Sequence, residues 1–253
     1  VTFRTLPAYL AATAIGLAGS LLPFTTQAQD APDADPKQVQ FTAEPYVWAP
    51  TVDGTVSLGV LSLPIHVRPQ DLASGLRLGA MGRAALSKGR ATLAIEGIGV
   101  DFKRDRFVPL LGQDVKVRVL ALEMTGGYRF DLGRSVAVTP LLGLRYNSIN
   151  ARFGTAPAVL RAKGDWAEPA AGLLVAARPA RRLELQGKLL AGRRDSQRHS
   201  LDLRGEVAYA LHPRTQVFAS YRYLKQNYAS ASAEGLAIDL GGDGPLAGLR
   251  HRF

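Results

Sequence analysis

The chain contains no cysteine, which excludes a disulfide framework, a thiolate metal site and a cysteine nucleophile. Histidine is scarce: His66, His199, His212 and His251 are scattered along the sequence, so no metal-ligand spacing forms and no cofactor is expected. Beyond the first 28 residues no stretch approaches the roughly 20 consecutive apolar residues of a membrane-crossing helix. A helical membrane protein is thereby excluded. What remains is a 253-residue chain, 47% apolar, with 26 glycines and 15 prolines spread through alternating segments, a composition of strands and turns. Its length suits one large all-β domain or two small ones.

Residues 1–28 read as a secretory leader. Arg4 is the only charge before Asp30, Leu6 to Leu22 is rich in Ala, Leu and Gly, and Thr26-Gln27-Ala28 supplies small residues before a cut expected after Ala28. Residues 29–38 hold three Asp, two Pro and no large apolar side chain, and are expected to be a disordered lead-in. Residues 39–253 are then a single domain.

Alternation governs that domain. Leu120, Leu122, Met124, Tyr128 and Phe130 share one parity, whereas Glu123, Thr125, Gly127 and Arg129 share the other. On a strand the two sets point to opposite faces, whereas a helix would spread these charges around its circumference. Leu183, Leu185 and Leu189 oppose Glu184, Gln186 and Lys188 in the same way, and Leu201, Leu203, Val207, Tyr209 and Leu211 oppose Asp202, Arg204 and Glu206. Several runs are longer than the five or so residues usual in soluble sandwiches, and match tilted strands that cross a bilayer.

Short polar turns at 87–90, 131–134, 178–181 and 212–215 alternate with longer links near 103–114, 152–165, 192–198 and 226–235. Short connections at one end and long ones at the other are the asymmetry of transmembrane barrels. The strands expected are 39–49, 72–86, 90–103, 115–130, 136–153, 165–178, 183–192, 199–211, 216–229 and 236–253. The fold is therefore an all-β, antiparallel transmembrane β-barrel of about ten strands, with eight or twelve as alternatives. Alternation within Thr51–Asp71 allows an extra hairpin above the membrane.

Two segments carry a family likeness. The last strand alternates back from Phe253 through His251, Leu249, Ala247 and Pro245, and the first reads Glu44-Pro45-Tyr46-Val47-Trp48-Ala49-Pro50 followed by Asp53-Gly54-Thr55. In both, the chain resembles the small outer-membrane β-barrel proteins of Gram-negative bacteria. The resemblance implies an integral outer-membrane location, contact with outer-membrane lipid and lipopolysaccharide, and an assembly signal at Phe253 and Leu249 read by the outer-membrane assembly machinery. His251, on the nominal lipid face, departs from the pattern and is tolerable near the interface.

Parity gathers charges of both signs on the face opposite the lipid: Glu44, Arg77, Arg83, Glu96, Glu123, Arg129, Arg145, Glu168, Glu184, Lys188, Asp202, Arg204, Glu206, Arg222 and Arg250. In a narrow lumen these must pair, because an unpaired buried ion is very costly. Two readings follow: a charge-paired core that fills the barrel, or a narrow polar passage whose charges set selectivity. Glu123 and Arg145 fall at similar depth on sequential strands, and Arg145 is expected to be enclosed by at least two of Glu123, Glu96, Glu168 and Glu184. A lipid-modifying enzyme, hydrolysing lipid A or phospholipid, is the alternative function. Against it, His199 and Ser200 are adjacent and so should point to opposite faces. The chain is expected to be no enzyme and to bind no nucleic acid. Its basic surplus, at Lys103, Arg104, Arg106, Lys116, Arg118, Arg161, Lys163, Arg193, Arg194 and Arg198, clusters toward the long-link end, as a rim for lipopolysaccharide phosphates or simply as a solvated one.

Overall fold

The computed structural model describes residues 38–59, 61–107, 113–154, 160–229 and 236–253. The expected leader and all but the last residue of the lead-in lie outside the described residues.

In chain order the elements are β1 (Val39–Trp48), β2 (Thr51–Leu58), β3 (Leu61–Val67), α1 (Pro69–Gly75), β4 (Leu76–Lys88), β5 (Ala91–Phe107), β6 (Gln113–Tyr128), β7 (Phe130–Leu132), β8 (Val136–Phe153), β9 (Leu160–Ala180), β10 (Leu183–Arg193), β11 (His199–His212), β12 (Thr215–Ala229) and β13 (Leu236–Arg252). All sheet pairings are antiparallel. Neighbours run β1-β4-β5-β6-β8-β9-β10-β11-β12-β13, and β13 pairs back to β1, which closes a ten-stranded barrel. Closure removes the free edges that an open sheet would expose to lipid.

Two barrel strands are interrupted without losing register. β1 and β2 follow one continuous register along β13, from Thr42 opposite Arg252 to Leu58 opposite Leu236, with a break at Ala49-Pro50 where proline withholds a donor. β7 resumes the register of β6 along β8 beyond Arg129. At the turn end, Gly89-Arg90, Gly133–Ser135, Arg181-Arg182 and Pro213-Arg214 reverse the chain. Gly89 has φ of 57°, a left-handed conformation that a side chain would strain. The third reversal lies beyond the expected 178–181, because β9 runs on through Pro179 to Ala180.

Two sequence expectations need correction here. Residues 72–75, assigned to a strand, are helical: Pro69 presets the first turn, and the Asp71 carboxylate accepts the Arg68 backbone N–H at 3.2 Å. The strands flanking the long links also extend further than expected, to Phe107 in β5 and from Leu160 in β9. The extra hairpin allowed within 51–71 is present as β2 folded back on β3.

The outward face carries a belt of exposed apolar side chains on most strands, among them Val47, Leu78, Leu86, Leu93, Ile95, Leu120, Met124, Leu142, Leu144, Leu189, Val207 and Leu249. Water would not tolerate so continuous a surface, whereas lipid requires it. Tyr146, Tyr221 and Tyr223 rim the belt toward the loop end, and Tyr128, Phe130, Phe41, Tyr209 and Phe253 rim it toward the turn end, as aromatic girdles do. One stretch departs from the alternation of burial. Pairing between β1 and β4 ends at Pro45 opposite Gly82, and above that point residues 76–80 are exposed at both parities, beside the break in the first strand.

Candidate functional site

Two stacked layers occupy the lumen. The layer nearer the turns is charged. Glu44, Arg83, Glu96, Glu123, Arg145 and Glu168 stand opposite one another in a single cross-strand row from β1 to β9. On the far wall Lys188, Arg204 and Arg222 form a second row across β10, β11 and β12. Each row sets like charges side by side, Glu96 next to Glu123 and Arg204 next to Arg222, an arrangement that is repulsive by itself.

The two rows neutralise each other across the lumen. Arg222 donates to Glu96 at 2.8 Å and to both oxygens of Asp202 at 3.0 and 2.9 Å. Lys188 reaches Glu123 at 2.5 Å, Asp202 at 3.3 Å and Glu96 at 3.5 Å. Arg145, 3% exposed, donates to Glu123 at 2.7 Å, lies 3.6 Å from Glu168 and also bonds Ser200, which in turn donates to Glu168. Closer to the turns Arg250 pairs with Glu44 at 2.8 Å and Glu206 at 2.5 Å, while Arg204 pairs with Glu206 at 2.5 Å. Tyr46 donates to Glu96 at 2.7 Å. Charge-assisted bonds of this density satisfy ions that burial alone would make untenable.

All ten residues expected to form the lumen network, Glu44, Glu96, Glu123, Arg145, Glu168, Glu184, Lys188, Arg204, Glu206 and Arg222, project inward. Glu184 sits at the lower edge, where Arg178 donates to it at 3.0 Å. Asp202 and Arg250 join them, and Arg83 reaches Glu44 at 3.5 Å. Two residues of the same parity stay outside the network. Arg77 is exposed beside the break in the wall, and Arg129 interrupts β6–β7 at the turn end, where it pairs with Asp131 at 2.7 Å. The network leaves a cavity of about 30 Å³ bounded by Glu44, Glu96, Lys188 and Arg204, room for a water or two.

The second layer, toward the loops, is apolar. Val56, Ile65, Val67, Phe102, Val115, Ala151, Trp166, Leu236 and Ile238 are buried together, with Leu72 of α1 and Tyr228 packed against them. Trp166 stacks on Tyr228 with ring centroids 4.5 Å apart. Tyr46 and Trp48 lie on β1 between Glu44 and the apolar layer, Phe218 lies on the turn side of Arg222 in β12 beneath the guanidinium groups of Arg204 and Arg250, and the guanidinium of Arg222 sits 5.2 Å over the Trp48 ring. Outside this apolar layer the wall is polar, with Arg118 on Asp101 at 3.0 Å, Lys163 near Asp165 at 3.6 Å and His66 on Asp53 at 2.5 Å. In the link after β10, the Arg198 guanidinium bonded to Asp195 holds that carboxyl below its ordinary range.

Parity reading missed the apolar layer, although a signal for it exists. In β6 the apolar residues are Val115, Val117 and Val119 and then switch phase to Leu120, Leu122 and Met124. The switch marks the height at which the outer face leaves lipid. Of the histidine and serine weighed for catalysis, Ser200 is buried in the network and His199 is exposed on the opposite face. At the C-terminus, Leu249 is exposed on the lipid face and the Phe253 ring lies 5.4 Å from that of Phe41. His251 accepts or donates a bond with Thr215 at 3.0 Å near the turn end.

No family model and no curated protein matches the chain. Solved structures do. The outer membrane protease OmpT from Escherichia coli is similar over 87% of this chain and 98% of its own, at 10% identity and a TM-score of 0.54. Neisserial surface protein A matches over 85% of this chain and 96% of its own, at 15% identity and a TM-score of 0.34. Ail from Yersinia pestis matches over 86% and 99%, at 11% identity and a TM-score of 0.37. At such identities the likeness is one of fold, that of the Gram-negative outer-membrane β-barrel. The apolar belt with its aromatic girdles is the membrane-crossing surface of that fold.

Proposed function

We propose that this outer-membrane β-barrel is a structural protein of the membrane whose lumen is filled rather than conducting. The double filling carries the reading. A permeating ion would have to part Arg145, Lys188 and Arg222 from their carboxylates, then pass the Asn147–Gln226 pair and the apolar side chains of Phe102, Trp166 and Ile238, which do not replace its hydration. Phe253 and Leu249 serve in this reading as the assembly signal at the end of β13. Recordings of the purified full chain in a planar bilayer test the closed lumen. The expected trace shows no steps above the lipid baseline, and a reproducible ohmic channel would overturn the proposal in favour of a narrow pore.

Catalysis is the competing reading, since OmpT is a protease. Against it stands the placement of His199 and Ser200 on opposite faces of β11, with Ser200 already committed to Arg145 and Glu168. The same preparation is expected to release no product from phospholipid, lipid A or a peptide pool. Turnover that stops on replacing Ser200 or His199 would sink the non-enzymatic reading.

A further inference from the structure

The wall of the barrel is open along one seam. Pairing of β1 with β4 stops at Pro45 opposite Gly82. Continued, that register would set Tyr46 against Met81 and Trp48 against Gly79. Instead β1 stays with β13 up to Trp48, β4 stays with β5, and β3 pairs with β2 alone. From Leu76 to Met81, the backbone groups of β4 that point toward β1 therefore have no strand to bond. Water would satisfy such an edge, but hydrocarbon offers it no hydrogen bond.

The lining of the seam is apolar with one cation. Val47 is 72% exposed, Leu78 69% and Leu76 49%, while Trp48 and Met81 lie half-buried on its lumen side. On the lipid face below it, Ala80 stands opposite Gly99 and Gly82 opposite Gly97, so four small residues leave a shallow trough that runs from the seam into the belt. Arg77 is the extra residue of a β-bulge: Leu76 and Leu78 are two apart on β4 but face Phe102 and Asp101, which are adjacent on β5. Arg77 is exposed, and among the described residues it has no ion pair. Asp71 is taken by Arg68 at 3.4 Å and Asp101 by Arg118 at 3.0 Å. On β5 the outward face runs from Ile95 through Gly97 and Gly99 to the charged Asp101, opposite Leu78, which sets Arg77 at the upper edge of the belt.

We propose that the seam binds a single-chain anionic amphipath of the fatty-acid class, its acyl chain along the trough and against Val47 and Leu78, its carboxylate on Arg77. Continuity and charge choose this occupant. The trough opens onto the lipid belt, so the ligand enters sideways from the membrane and needs no passage through the filled lumen. Arg77 lies three residues, about 10 Å of strand, beyond Ala80. A chain lying in the hydrocarbon thus brings its head group to the guanidinium, whose planar fork suits carboxylate oxygens, and to the free N–H groups of the β4 edge. A trough two strands wide with a single cation at its end matches one chain and one charge.

The proposal concerns the wall and not a closed lumen, so conductance leaves it untouched. The test uses the full chain carrying Trp166→Phe, which leaves Trp48 at the seam as the only tryptophan, in phosphatidylcholine nanodiscs. Dibrominated stearate is titrated in and the quenching of Trp48 fluorescence is followed, with the methyl ester of the same acid as the uncharged comparison. Saturable quenching by the acid is expected, against linear quenching by the ester, the mark of a probe that only partitions into lipid. Arg77→Gln should raise the apparent dissociation constant at least tenfold and Arg77→Lys less than threefold. Ala80→Phe, at an exposed position where the trough meets the seam, should remove the saturation. Equal saturation by acid and ester, linear quenching by both, a constant within twofold of the parent in Arg77→Gln, or unchanged saturation in Ala80→Phe would overturn the proposal.

Discussion

The two halves of β6 obey opposite rules. From Leu120 to Met124 the strand faces lipid with leucine and methionine and faces the lumen with Glu123. From Val115 to Val119 it faces water with Lys116 and Arg118 and faces the lumen with valine. Other strands make the same exchange: β8 passes from Arg145 inside and Leu144 outside to Ile149 inside and Asn150 outside, and β13 from Arg250 and Leu249 to Ile238 and Asp239. In each half the outer face matches its solvent, and the inner face takes the residues left over. In the bilayer, helices and closed barrels satisfy the backbone internally, so the polar inner side can hold only charges that pair with one another. Above it the ordinary rule returns, and burial of apolar area holds the wall together.

Breaking one half at a time separates them. Arg145→Ala strikes the charged layer hardest, because it strips Glu123, Glu168 and Ser200 of a shared partner at a site 3% exposed. A loss of about 3–5 kcal/mol is expected, read by urea titration of the refolded barrel and by loss of its heat-resistant gel mobility. An unchanged urea midpoint would mean that the network is not what stabilises the lower half. Gly75→Ala strikes the other half. A Cβ at Gly75 would collide with the Phe102 ring, which is itself buried, so overpacking of about 1–3 kcal/mol is expected. Its signature should be local, with faster amide exchange in β2, β3 and α1 while gel mobility stays normal. A global loss of the barrel would show that the two layers fold as one unit.

How much of this was legible in the sequence depended on which half was being read. The strand at 136–153 is bounded as its alternation implied, and the inward placement of Glu123, Arg145 and Glu168 follows from parity alone, because a one-residue slip would put Arg145 into lipid. The contacts between walls were not legible. That Lys188 reaches Glu123, or Arg222 reaches Glu96, depends on barrel closure, which no local pattern encodes. The helix at 69–75 was hidden because seven residues are too few to show a helical period of their own, and the last four were read as the start of the strand that follows. The apolar upper layer went unread because Val115, Val117 and Val119 carry the parity already assigned to the polar lumen. Only the phase switch at Val119-Leu120 shows that the same inner face has changed its chemistry.

Smaller perturbations sharpen the comparison by asking how each half responds to its surroundings. Ile238→Val removes one methylene from the upper cluster and should cost about 0.5–1.5 kcal/mol, an effect that weakens on cooling as apolar burial does. The smallest effect is expected from Arg118→Gln. Arg118 and Arg145 are both arginines bonded to a carboxylate on a neighbouring strand, at 3.0 and 2.7 Å, but Arg118 is 62% exposed and Arg145 only 3%. An exposed pair is screened and contributes about 0.2–1 kcal/mol at most, and it should contribute nothing measurable at about 1 M salt, where the screening length falls to about 3 Å. The Arg145→Ala loss, by contrast, should be the same at low and high salt. Urea titrations of both variants across that salt range distinguish the layers directly. A salt-sensitive Arg145→Ala would mean that water and ions reach the lumen, and a salt-insensitive loss at Arg118 would mean that the outer collar is shielded from solvent.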